Sequence, residues 1–462
     1  MTVDKTALNA SSLVTGSRLN RRRVLGTAGA AGAAGLFGPG PLPIIRRRAR
    51  AQSEPLQFWQ FYGPDGDVAT QSEWFETMVA SWNEQNEQQI ELVYVPGSEY
   101  ISGTRLATSF ASGEGPDIFI ISPGDFLRYY NGGVLQDLTP YMEQEAIDDF
   151  FPDVIASRMV DGQIYGLPME VEPMAFYYGV AAFEEAGLSE TDVPATWEEL
   201  LTVAEQLSTP ERFGVLFETG PGYYQNFTWY PFMWEGGAEI VLPDGVTSGM
   251  RDPGAVQALQ FWQDAVNNEV APRSVLGTGG GDIVANLASG YCAIQNIGIW
   301  GISELRVNAP DFEYGVFPLP VPPGGEYATD LGGWAFVANS QGRSPDLAAE
   351  FCVWALGSMS DDSIDRVVDW CINAKSDMPP RQSVVDRTTE LGGYESGPLQ
   401  VFRDEILPGG RAEPRVPPEV YKPISDAIQA AMLNGVDPQQ AGETAAQQIE
   451  TFLAGYDGAP IL

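Results

Sequence analysis

Pro116-Asp117-Ile118-Phe119-Ile120-Ile121 is an apolar run with no polar alternation, the pattern of a strand in a sheet covered on both faces. Upstream, Leu56 to Tyr62 reads as a short aromatic strand stopped by Gly63-Pro64-Asp65-Gly66. Glu73 to Asn83 carries Trp74, Phe75, Met78, Val79 and Trp82 at helical spacing, Ile90 to Val95 returns to strand, and Tyr100 to Ser112 reads as helix. Strand and helix alternate, which argues for an α/β fold. The alternation resumes after Tyr165. Thr196 with Glu199 forms a capping box opening a helix through Leu207, and Ser344-Pro345 starts another over Leu347 to Leu356. Val420 to Leu453 is helical by pattern, interrupted at Asn434-Gly435.

The N-terminal region has a different character. Asn20-Arg21-Arg22-Arg23-Val24-Leu25 leads a short, glycine-rich apolar stretch, and Ala49-Arg50-Ala51 stands before Gln52. This is the pattern of a cleavable export signal of the twin-arginine type over residues 1–51. The stretch is too short and too interrupted by Pro39, Pro41 and Pro43 to span a bilayer. No cysteine lies between Met1 and Gln52, so the expected product is not lipid-anchored and works in the periplasm or otherwise outside the cytoplasm.

Residues 52–462 are too many for one core of ordinary size, which predicts two domains. The leader holds nine of the 25 basic residues and one of the 62 acidic ones, leaving a net charge of −45 for the remainder. Such a field repels phosphate backbones and excludes nucleic acid as a partner. Beyond the leader only Lys375 and Lys422 are lysines; a surface adapted to high salt and a coding bias toward arginine account for this equally well. The chain has no histidine, which removes Ser-His-Asp, Cys-His and histidine-ligated zinc chemistry. Cys292, Cys352 and Cys371 lack the spacing of a metal site, and no metal or cofactor is expected. Cys352 and Cys371 could bridge, or all three could be buried apolar residues.

Four stretches then carry a family resemblance: Gly115 to Phe119 through Gly133 to Tyr141; Ile164 to Pro168 through Phe176 to Tyr178; Gly290 to Ile294 through Gly298 to Trp300; and Tyr314 to Pro320 through Leu331 to Gly333. In order and spacing they resemble the maltose-binding-protein-like, family 1 extracellular solute-binding proteins of ABC importers. Gly179-Val180 departs from the Asn-Lys that many relatives have there. The resemblance implies a two-lobed periplasmic-binding-protein fold, each lobe a mostly parallel sheet flanked by helices, joined by hinge strands. It places residues 52–171 with 318–375 in one lobe and 172–317 with 376–462 in the other, with crossings near Glu170 to Pro173, Phe317 and Lys375. It also implies a monomer that carries a sugar, an oligosaccharide in the first instance, to membrane permease subunits.

Sugar recognition needs flat aromatic faces and carboxylates or amides that take paired hydroxyls. The resemblance puts Trp300 at the stacking position and Glu172 at a hinge position accepting hydroxyls, with Glu170 two residues earlier. Tyr223, Tyr224, Asn226 and Trp229 lie in an aromatic segment of which part must be packing. Tyr62 and Asp65 follow the first strand, although Asp65 equally suits a turn. Asp125 is either a ligand contact or the cap of a helix from Phe126. Gly333 and Trp334 offer close backbone approach and a ring, and Arg381 follows Pro379-Pro380. Trp59, Phe119 and Trp197 read as core. Gly277 to Asp282 lacks the Gly-Lys-Ser/Thr ending of a phosphate cradle. Two rivals remain: a non-sugar binder, of a phosphorylated polyol or a polyamine, and a glycosidase using Glu170 and Glu172.

Overall fold

The computed structural model describes residues 54–461 apart from 65, 67, 102, 103 and 396, so the leader and Asp65 lie outside the described residues. The opening alternation is realised as β1 (Leu56–Gln60), β2 (Ile90–Tyr94) and β3 (Ile118–Ile121), with the helix Ala69–Gln85 turning Trp74, Phe75, Met78, Val79 and Trp82 inward. A small antiparallel pair, β4 (Met159–Val160) and β5 (Gln163–Ile164), precedes β6 (Leu167–Pro168). There follow β7 (Glu172–Gly179), β8 (Phe213–Leu216), β9 (Cys292–Gly298), β10 (Tyr314–Phe317), β11 (Thr329–Gly332), β12 (Ala335–Ala338) and β13 (Gly410–Ala412).

Two main sheets result, ordered β2-β1-β3-β12-β6 and β13-β11-β7-β9-β8, with β10 also on β7. Parallel pairing joins β1 to β2 and β3, β8 to β9 and β11 to β13. The remaining ladders are antiparallel, so both sheets are mixed where mostly parallel ones were expected. The reason lies in the crossovers: β7 leaves the first half and β12 returns to it against the local strand direction. Because β11 pairs with β7, the return between sheets lies at Gly333-Trp334, later than the expected Phe317.

Each sheet has its own core. Phe58, Phe75, Phe336, Phe351 and Trp370 interlock edge to face or offset on one side of the molecule. Phe217, Phe232, Phe261 and Trp262 do so on the other. Local signals hold where they are local: Thr196 accepts the Glu199 N–H while Glu199 reaches back to the Thr196 N–H, completing the capping box. Ser344 precedes the helix Pro345–Leu356 without a side-chain cap bond. The three cysteines are free and buried, with burial pushing their thiols up. Among the described residues no helix is long and apolar enough to cross a membrane.

Candidate ligand cleft

The crossings between the sheets meet at one buried charge cluster. Lys375, 3% exposed, directs Nζ at Glu172, at Glu170 Oε1 (3.7 Å) and at Asp377 Oδ2 (3.4 Å). Glu170 also accepts the backbone N–H of Trp334 at 2.6 Å and the indole N–H of Trp370. Gly333 has φ +125°, and a Cβ there would lie 2.6 Å from the Glu170 carbonyl oxygen, so glycine is required where the chain crosses. Its own carbonyl accepts from Arg158, which is buried behind it. Burial pushes Glu170 up to about 7, opposed by Lys375 and reinforced by Glu172. Burial opposes the charge of Lys375, but Asp377, Glu170 and Glu172 outweigh it and hold the ammonium protonated.

A second buried carboxyl stands near the first group. Glu413, next to β13, accepts the backbone N–H of Gly124 at 3.1 Å, linking the second sheet to the first turn of the helix Pro123–Asn131. Burial pushes Glu413 up to about 8, opposed by Arg158 and reinforced by Glu172. Both carboxyls have folded values above their ordinary 4.5, so each contributes most to stability when protonated. That contribution is lost as pH rises through about 7 for Glu170 and about 8 for Glu413. Urea unfolding at constant ionic strength is therefore expected to show stability falling by roughly 1–3 kcal/mol between about pH 5.5 and 9. A flat or rising profile over that window would contradict this reading of the two carboxyls.

Rings gather around these charges. At the carboxyl end of β1, Phe61 lies 4.8 Å from the half-buried Trp334, and Tyr62 packs at 5.1 Å on Trp370 and 5.5 Å on Phe75. In the second half, Tyr224, Phe227 and Trp300 stand 6.3 Å apart in each pairing, with Tyr224 and Trp300 only partly buried. Trp300 folds back over Gly298, where any side chain would collide with its ring. Gly332 joins the groups: a Cβ there would lie 2.7 Å from Phe227 and 3.6 Å from Glu413 Oε2. These positions follow the carboxyl ends of β1, β3, β8 and β9, where open α/β sheets receive ligands.

The remaining candidates are placed otherwise. Trp229 is fully buried within the second core. Its neighbour Asn226 is equally buried and donates to the Tyr421 carbonyl at 2.7 Å. Arg381 is fully buried; it donates to the Ser358 carbonyl and Ser363 Oγ, pairs with Asp149 at 3.6 Å and packs on Phe150. All three are sealed from solvent, Asn226 and Arg381 by the bonds named and Trp229 among the rings of the second core. Asp125 sits in the helix's first turn, paired with Arg128 at 3.0 Å, and Ser122 rather than Asp125 takes the cap position. Asp282 closes its own turn by accepting from Thr278 and Ala285. Sequence reading passed over Phe227, Glu218, Glu413 and Asp377, and gave Lys375 no more than a place at a crossing.

The profile of the bacterial extracellular solute-binding proteins matches residues 66–360, well over half of the chain. The chain belongs to that family. An arabinooligosaccharide-binding protein of Halalkalibacterium halodurans is 26% identical to this solute-binding protein over 405 residues, 84% of this chain and 82% of the relative. Binding proteins of Brucella abortus and Brucella suis match at 27% identity, and the chain spans about half of their length, 54%. Among solved structures, an ABC transporter solute-binding protein from Thermotoga lettingae, bound with α-D-tagatose, superposes with a TM-score of 0.74 at 22% identity over 87% of this chain and all of that one. The cyclic α-maltosyl-1,6-maltose binding protein of Arthrobacter globiformis does so at 0.70 and 23% identity, covering 87% and 99%. These likenesses establish the two-lobed fold.

Proposed function

We propose that this protein captures a saccharide, an oligosaccharide in the first instance, between its lobes and delivers it to the permease subunits of an ABC importer. The observation that carries the reading is the ring group Tyr224, Phe227 and Trp300 beside buried carboxyls, a pairing of apolar faces with hydroxyl acceptors. Tyr62, Glu172, Gly333 and Trp334 complete the proposed cleft lining. Relatives named for oligosaccharide binding support the choice of ligand class. Carrier rather than catalyst is supported by Glu170, whose two oxygens are engaged by Trp334 and Trp370 and which therefore makes a poor acid or base partner for Glu172. The paired arginines of the leader support export by the twin-arginine route. The lobes divide at residues 169–171 and 333–334 and again near Lys375.

Trp300→Ala tests the reading. If the ring is a stacking face, the variant binds saccharide more weakly by roughly 1–3 kcal/mol while its melting temperature stays close to that of the parent. Titration calorimetry and a melting curve on the same sample separate this from a packing role, for which affinity is retained and melting drops sharply. Saccharide is also expected to raise the melting temperature and reduce the radius of gyration, since a ligand favours the conformer it binds better.

A further inference from the structure

One end of the cleft is built from hydrogen-bond acceptors. Glu218, just past β8, is 5% exposed and is held by the N–H groups of Gly220 (2.6 Å) and Gly280 (2.8 Å). Gln295 on β9 is fully buried, and its Nε2 donates to the Gly280 carbonyl at 2.7 Å; this leaves Oε1 as a buried acceptor without a partner. The Tyr224 hydroxyl is likewise without a partner and lies 3.0 Å from where a Cβ on Gly281 would stand. The side chains of Glu218, Gln295 and Tyr224 therefore all meet the pair Gly280-Gly281, beside the Tyr224 and Trp300 rings. The charged groups acting on Tyr224 are Glu218, Glu304 and Glu172, all acidic, and no basic side chain acts on Glu218. Burial accordingly pushes the Glu218 carboxyl up.

A sugar hydroxyl supplies one donor to such a place and leaves the negative charge uncompensated. An ammonium supplies three donors and a positive charge to a place that offers a carboxylate, an amide oxygen and a hydroxyl oxygen, and charge-assisted bonds are the stronger ones. A phosphate would meet like charge on every side. We propose that Glu218, Gln295 and Tyr224 form a subsite for a protonated amine, so that the preferred ligand is an amino sugar or an oligosaccharide containing one; this rests on the saccharide reading above.

The test uses the full-length protein after leader removal and matched sugars that differ at one carbon: glucosamine against glucose and N-acetylglucosamine, galactosamine against galactose, and oligomers of the glucosamine, N-acetylglucosamine and glucose series. Calorimetry at about pH 6 is expected to show the amine member of a pair binding at least about tenfold more tightly than its partners, the scale of one charge-assisted bond. The advantage should shrink at about pH 9.5, where an amine with the basicity of an α-amino group, about 8, is neutral. Glu218→Gln should lower amine affinity about tenfold and leave hydroxyl partners within about twofold. Since Glu218 also braces two backbone N–H groups, the pH comparison on the unaltered protein stands independently of whether that variant folds. A hydroxyl or acetyl member binding as tightly as its amine partner would overturn the subsite while leaving the saccharide reading intact. Binding by no member of the panel would overturn the saccharide reading, and the subsite with it.

Discussion

Replacing Lys375 by methionine is expected to cost roughly 3–5 kcal/mol of folding stability, because it leaves Glu170, Glu172 and Asp377 facing one another without a cation. The methionine fills much of the lysine's volume, so the loss reports the charge rather than a cavity. The ammonium also lies 5.3 Å from the Tyr62 ring and 5.8 Å from Trp370, a smaller contribution removed at the same time. The deficit should narrow as pH falls, since the orphaned carboxyls can take up protons instead. Urea unfolding of parent and variant at about pH 5 and pH 8 reads both effects. A deficit under about 1 kcal/mol at the higher pH would show that the carboxyls are neutralised without Lys375.

Trp229→Ala is the companion experiment in the second core. With the ring fully buried, truncation should open a cavity and cost roughly 3–5 kcal/mol, while saccharide affinity measured below the new melting temperature stays within about threefold. A variant that keeps its stability and loses binding would move Trp229 to the ligand. Set beside Trp300→Ala, it separates a partly exposed tryptophan from a fully buried one.

That separation marks where sequence reading stops. The apolar run at Ile118–Ile121 and the capping box at Thr196 were legible because their causes lie within a few residues. In the helix Tyr223–Glu235 nine of the 13 positions are apolar or aromatic, so spacing could not say which rings turn outward. Tyr224 stands partly exposed beside Trp300 while Trp229 and the rings after it are core, a distinction made by the packing of segments near residues 260 and 420. Arg381 looked available because its acceptor, the Ser358 carbonyl, is set by the fold rather than by neighbouring sequence. The late return crossing depends on β11 pairing with β7, more than 150 residues away in the chain. Lys375 did leave a trace: one of two lysines outside the leader of a strongly acidic chain is a residue whose charge has a specific task. Glu170 and Glu172 both touch the buried cluster around Lys375, and the oxygens of Glu170 are further engaged by Trp334 and Trp370.

The sulfurs carry a last consequence. Cys292 lies in the second sheet, Cys352 in a helix against the first and Cys371 beside the hinge, each sealed from solvent with its thiol disfavoured as a thiolate. No cross-link joins them, so the native packing needs no oxidant to complete it. Glutathione and disulfide isomerases have no accessible thiol to act on in the folded molecule.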